Sequence, residues 1–309
     1  MTEWHGGDGG TLNAPVFGWM WPDKVPGGGP NTETGLPLVW ITQQVVEPQD
    51  GRTGRRCVFC YDPEDDPAGD LALGAGADYY NEAMSCDWRA ERRRRVECFQ
   101  AAEVLYLHAS RLGNAMADDD LTYVYSYDRC EENYWNSVAA GAKLPRPEER
   151  LSIAERAFAH CSVAAEAGIA ESCYKLGDFL RDGRGCDKDV DKAYQWYRQA
   201  YDLGKSDSPL YWGSAALRLG KAHEEGEGCT QSFQEAKGWY SRAVAGLSAA
   251  VREGESWYRG AHKSAEAGLV RAEQEVSGKV LGGRRSIALV SLVRHNLCPS
   301  CHREGEGEL

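Results

Sequence analysis

The sequence predicts a mainly α protein: an α-α solenoid of helix-turn-helix repeats, preceded by a small loop-rich segment that contains a β-hairpin. Three observations predict it. An Ala–large–large–Ala pattern at i, i+3, i+4 and i+7 recurs four times along the chain. Glycine pairs, Gly183/Gly185 and Gly226/Gly228, stand where one helix would end and the next return. Of the 12 prolines and 35 glycines, 8 and 14 crowd into residues 1–85, a density that excludes a run of helices there.

Within residues 1–85, Leu38, Val39, Trp40 and Ile41 open an apolar, β-branched stretch that resumes at Val45 and Val46. The turn-forming Pro48-Gln49-Asp50-Gly51 follows, then Arg55-Arg56-Cys57-Val58-Phe59-Cys60-Tyr61, and together these read as one β-hairpin. Phe17, Trp19 and Trp21 are expected to pack the segment onto a neighbour rather than to bind a ligand.

Residues 86–296 read as repeats, followed by a tail, 297–309. The clearest unit runs from Gly168 to Gly204. Its first helix contains Ala170, Cys173, Tyr174 and Gly177 on one face, and its second contains Ala193, Trp196, Tyr197 and Ala200. Ala236, Trp239, Tyr240 and Ala243 take the same four places 43 residues on. Ala157, His160, Cys161 and Ala164 take them 36 residues back, and Ala102, Leu105, Tyr106 and Ala109 a further 55 back. The small residues allow close helix approach, the large pair fills the groove between helices, and each helix pair leaves an apolar face for the next to cover.

This pattern, with Leu176-Gly177, Gly183-Arg184-Gly185 and Asp191-Lys192-Ala193 in their places, resembles the Sel-one-like repeat, a relative of the tetratricopeptide repeat. The resemblance covers residues of about 99–268, is densest over 168–246, keeps only Gly268, Val276 and Gly283 near the end, and leaves residues 1–85 unmatched. It implies a scaffold that holds other proteins. The first unit departs from the pattern: Thr122 replaces the helix-crossing glycine, Asp128 and Cys130 replace the loop glycines, and the loop that follows is about 19 residues longer than in the next unit. That loop, 131–150, is a candidate contact element. His223 stands where an aromatic is usual. His160 sits at the Trp196-equivalent position and is read as packed and structural.

Composition bounds the function. The 309 residues carry 35 Lys+Arg against 47 Asp+Glu, a net charge of −12, and residues 1–85 alone hold 4 basic and 13 acidic side chains. Such a chain is a poor match for nucleic acid or an anionic membrane. The start has no basic stretch followed by an apolar run, and Ile287–Val293 is too short to span a bilayer, so the expected compartment is the cytoplasm. The 11 cysteines are then mostly reduced thiols.

Two Cys-x-x-Cys pairs, Cys57/Cys60 and Cys298/Cys301, pose the main chemical question. Two such pairs complete a tetrahedral Cys₄ site for structural zinc, here a clasp between two distant parts of the chain. The other reading leaves them as unligated or partly oxidised thiols. Cys298 to His302 also satisfies a haem-attachment pattern, disfavoured without export. The run Arg92–Arg95 is read as a solvated, salt-bridged helix start, and Asp118-Asp119-Asp120 as carboxylates favoured early in a helix. No catalytic constellation is recognised. The leading expectation is a non-enzymatic protein-interaction scaffold or adaptor. The alternatives are an acidic inhibitor that occludes a nucleic-acid-binding partner, and a zinc- or thiol-dependent enzyme.

Overall fold

The computed structural model describes residues 19–20, 39–46, 53–62, 64–131 and 151–295. Among these the chain is mainly α, with helix-turn-helix pairs and a small antiparallel sheet, as the repeat pattern predicts. It divides into two units, Met1–Asp189 and Val190–Leu309.

In the first unit the expected hairpin is β2 (Val39–Val46) against β3 (Thr53–Tyr61), with Val39 opposite Tyr61 and Val46 opposite Thr53. A short strand, β1 (Trp19–Met20), pairs with the other edge of β3, giving the order β1-β3-β2. Ile41 lies opposite Phe59 but Thr42 lies opposite Cys57, so Val58 is an extra residue and β3 carries a bulge.

The segment read as loop-rich also holds a helix, α1 (Asp70–Ser85). Asp66 starts it: its two carboxylate oxygens accept from the backbone N–H groups of Leu71 and Ala72, each at 3.0 Å. Helix α1 packs on α2 (Arg92–Arg111), where a Cβ on Gly76 would stand 2.6 Å from the Tyr106 ring. Only glycine permits that approach. Gly76 and Tyr79 hold the places that Gly220 and His223 hold in the last clear copy, so α1 and α2 form a helix pair of the same kind.

The sheet rests on α2 through polar contacts. Gln43 Nε2 donates to Glu97 O at 2.8 Å, and Arg56 Nη2 donates to Gln43 Oε1 at 2.9 Å. On the inner side of α2, Ala102, Leu105, Tyr106 and Ala109 are all buried, the face that the Ala–large–large–Ala spacing predicts.

Three further helices lie among the described residues of this unit: α3 (Ala115–Ser126), α4 (Ile153–Glu166) and α5 (Ala170–Asp182). Asn114 caps α3, and Ser152 with Glu155 forms a capping box on α4. Beyond α3, Asp128 adopts φ +45°, the left-handed conformation that Gly183 adopts after α5 at φ +67°. Asp128 thus does the work of a loop glycine. Cys130 does not: Glu131, at φ +43°, is the second left-handed residue of that turn.

The second unit contains α6 (Val190–Gly204), α7 (Pro209–Glu225), α8 (Phe233–Glu253) and α9 (Arg259–His295), with a single 3₁₀ turn at Ser256–Tyr258. Ser208 and Ser232 cap α7 and α8, and Pro209 occupies the first helical position of α7, where its missing N–H costs nothing. Gly254 ends α8, so the stretch from Trp257 to Gly268 starts a new helix rather than continuing the one before. Ala236, Tyr240 and Ala243 are fully buried. The Tyr240 ring lies between two glycines: a Cβ on Gly220 would come within 2.7 Å of it and one on Gly268 within 2.5 Å. Its hydroxyl donates to Glu224, which Arg271 also holds through Nε at 2.7 Å and Nη2 at 2.9 Å. Among the described residues, no helix is long and apolar enough to cross a membrane.

Candidate functional site

Of the four expected metal ligands, Cys298 and Cys301 lie outside the described residues, as do Phe17, Trp21 and most of the 131–150 loop. Cys57 and Cys60 lie on β3, and the bulge governs their relationship. Without it, residues three apart on a strand would point to opposite faces. With Val58 extra, Cys57 stands opposite Thr42 and Cys60 opposite Trp40, two residues apart on β2 and so on the same face. A hydrogen bond from the Cys57 thiol lowers the Cys60 thiol to about 7. The same bond, with burial, pushes the Cys57 thiol well up. Among the described residues, no group of three or more His, Cys, Asp or Glu is arranged to hold a metal ion.

The most concentrated polar chemistry lies where α3, α4 and α5 meet. Asp118 and Asp119, read from sequence as carboxylates favoured early in a helix, are only 2% and 6% exposed. They do lie early in α3, and partners from α2, α4 and α5 take the place of water around them. Asp118 Oδ1 meets His160 Nδ1 at 2.6 Å and accepts from Ser110 Oγ at 2.9 Å. Asp119 accepts from Ser172 Oγ and lies 3.6 Å from Lys175 Nζ. Lys175 is also 3.3 Å from Glu171, and its ammonium sits 3.3 Å from the centroid of the Tyr123 ring. Burial, then the neighbouring Asp119 charge, raises Asp120 to about 6.

A serine, a histidine and aspartates meet here without forming a nucleophile relay. Ser172 donates to Asp119 while His160 pairs with Asp118, so the histidine is not placed to take a proton from the serine. His160 is part-buried, stacked 5.6 Å from Tyr125, and structural in its contacts, as its repeat position implies. Next to it, Tyr125 Oη donates to Glu103 at 2.9 Å and Arg156 stands 3.6 Å from Glu103 with its guanidinium 4.5 Å from the Tyr125 ring centroid. Glu103 and Arg156 were not singled out by sequence. The available signal was position: Glu103 follows Ala102 directly on the buried side of α2.

The basic run behaves as expected. Arg92 pairs with Glu131, Arg93 with Glu97 at 2.9 Å, and Arg94 with Glu82 at 2.8 Å, all from exposed positions. Cys161 and Cys173 are fully buried at their repeat positions, with Sγ atoms 3.4 Å from Ser172 O and 3.5 Å from Ala165 O.

Residues 170–205 and 213–246 match the family model of the Sel1 repeat. Over these two segments the chain is similar to Sel1 repeats. Over 106 residues, 34% of its length, it is 32% identical to an uncharacterised Sel1-like repeat-containing protein of Schizosaccharomyces pombe, and it spans 15% of that protein. A Sel1 repeat protein from Oxalobacter formigenes aligns over 60% of this chain and 61% of its own, at TM-score 0.40 and 18% identity. A protective antigen of uropathogenic Escherichia coli with an SLR fold aligns over 79% and 44%, at TM-score 0.42 and 16% identity. Cysteine rich protein B of Helicobacter pylori aligns over 42% and 90%, at TM-score 0.27 and 24% identity. The two Sel1 matches contain the strongest copies of the Ala–large–large–Ala face, Ala193 to Ala200 and Ala236 to Ala243.

Proposed function

We propose that this chain is a non-enzymatic scaffold or adaptor that holds a protein partner on its Sel1 repeats. Proteins built from this repeat generally act as protein-interaction scaffolds. The observation that supports the reading most is the assignment of the polar clusters to structure: Ser172, His160 and Glu103 each hydrogen-bond to a partner on a neighbouring helix, and Lys175 forms an ion pair with one. Buried cysteines that pack as thiols fit a reducing compartment such as the cytoplasm. Crosslinking in the native cell, followed by affinity capture and mass spectrometry, tests it. One protein recovered in near-stoichiometric amount is the expected result, and recovery of background proteins alone would overturn it.

The zinc site of Cys57, Cys60, Cys298 and Cys301 is a second, separate proposal. Its support is the bulge in β3, which sets Cys57 and Cys60 on one face as a bidentate edge for a thiophilic cation. Metal analysis of protein purified without added zinc should give about one equivalent. Less than about a tenth of an equivalent, with Cys57 and Cys60 freely alkylated, would remove it.

A further inference from the structure

Trp239 on α8 carries two guanidinium groups over one ring. The Cζ atom of Arg198, from α6, lies 5.5 Å from the ring centroid and that of Arg242, from α8 itself, lies 4.6 Å away. The two cations come from the second helices of consecutive repeats, and both are exposed, while Trp239 is 7% exposed. The Tyr201 ring stands edge-on to the indole at 4.9 Å and 90°, and Trp212 meets Tyr201 at 6.4 Å. Lys205 lies 4.4 Å from the Tyr201 ring but is already paired with Asp202 at 2.8 Å.

A guanidinium stacked on a ring uses its face, and its in-plane N–H donors stay available for a second partner. Elsewhere the chain commits such donors to carboxylates, as Arg94 does to Glu82 and Arg271 to Glu224. Among the described residues, no carboxylate pairs with Arg198 or Arg242. The ring also holds both side chains in place, so a ligand loses less rotamer freedom on binding than it would against free arginines. Bidentate recognition by two nearby planar forks favours carboxylates spaced along one segment. Two cations are too few for nucleic acid, whose affinity grows with the number of phosphates neutralised, and the net charge of −12 opposes a long polyanion. A short acidic segment feels mainly the local charge, because salt screens the rest beyond about 8–10 Å.

We infer that Arg198, Trp239 and Arg242 form a docking surface for an acidic segment of a protein partner, whose carboxylates take the free edges of the two guanidinium groups. This rests on the scaffold reading and specifies the chemistry of what the scaffold holds.

The test is fluorescence anisotropy with a fluorescein-labelled hexaglutamate peptide at low and moderate salt. Saturable binding that weakens with salt is expected. Arg198→Glu/Arg242→Glu should lose about tenfold or more in affinity, while Arg252→Glu, an exposed change elsewhere on α8, should bind as the parent does. Arg198→Gln/Arg242→Gln removes the charge more gently and should show the same loss, which covers any failure of the first variant to fold. Unchanged binding by a folded double variant, absence of saturable binding, or preference for a phosphoserine peptide or an oligonucleotide over hexaglutamate would overturn the proposal. Affinity capture separates the two readings: a partner still held by the folded double variant sinks this surface and leaves the scaffold standing.

Discussion

Gly268 of α9 lies against the ring of Tyr240 on α8 so closely that a Cβ there would stand 2.5 Å from the ring carbons Cε1 and Cζ. Gly220 of α7 approaches the same ring from another helix, at 2.7 Å. Replacing an interior helical glycine by alanine ordinarily gains about 1 kcal/mol from helix propensity. Here overpacking, typically about 1–3 kcal/mol, outweighs that gain because the ring is fully buried and its hydroxyl is tied to Glu224. Gly220→Ala and Gly268→Ala should therefore each lower the urea midpoint. A raised midpoint in either would mean that the ring can move aside.

Glu103 and Arg156 form a buried pair, each about 10% exposed, with Tyr125 Oη as a third member. Glu103→Ala removes the carboxylate that pairs with Arg156 and accepts from Tyr125 and should destabilise the chain by about 3–5 kcal/mol. Glu103→Gln keeps an acceptor for Tyr125 and should cost less. Chemical denaturation of both variants at one pH measures the difference, and equal effects would show that the hydrogen-bond acceptor contributes nothing beyond the charge.

Asp120 titrates at about 6 in the folded chain, from an ordinary value of 3.8, with burial first and Asp119 second among the causes. The folded state therefore holds a proton that the unfolded state has already released between about pH 4 and 6. The stability from this group is fully present below about pH 4 and is lost as pH rises through 6. Asp120→Asn, which keeps an acceptor for the Tyr106 hydroxyl, should raise stability at pH 7.5 by about 1–3 kcal/mol and change little at pH 4. Thermal melts at the two pH values check it. An equal gain at both would assign the effect to something other than ionisation.

Cys60 should alkylate far faster than the buried thiols Cys161 and Cys173 at neutral pH, because its thiol is lowered to about 7 by the hydrogen bond from Cys57. Cys57→Ala removes that donor. The Cys60 rate at pH 7 should then fall by about tenfold or more as its pKa returns toward 9.0. Peptide mapping after timed iodoacetamide treatment gives both rates.

What the sequence disclosed follows from where the physics is local. The repeated face was legible because helical spacing alone places Ala236, Trp239, Tyr240 and Ala243 together, and the structure buries all four. The hairpin was legible from β-branched residues around a turn, and β2 and β3 occupy it. Helix α1 was obscured because Gly74 and Gly76 are poor helix formers, and tertiary packing against Tyr106 overrides their propensity. The bulge at Val58 left no composition signal, since Val suits a regular strand equally well. Asp118 and Asp119 show the same limit. Nothing within α3 says that His160 and Ser172, more than 40 residues away, will replace their water.

The placement of Tyr240 also has a kinetic meaning. One side chain is packed against α7 and α9 while standing on α8, and its hydroxyl joins the Glu224–Arg271 pair that ties α7 to α9 again. No one of these helices can peel away without exposing that ring. Hydrogen exchange at the amides of Gly220, Tyr240 and Gly268 should accordingly report a single opening free energy, shared by three helices as one foldon, instead of the graded fraying of independently stacked repeats.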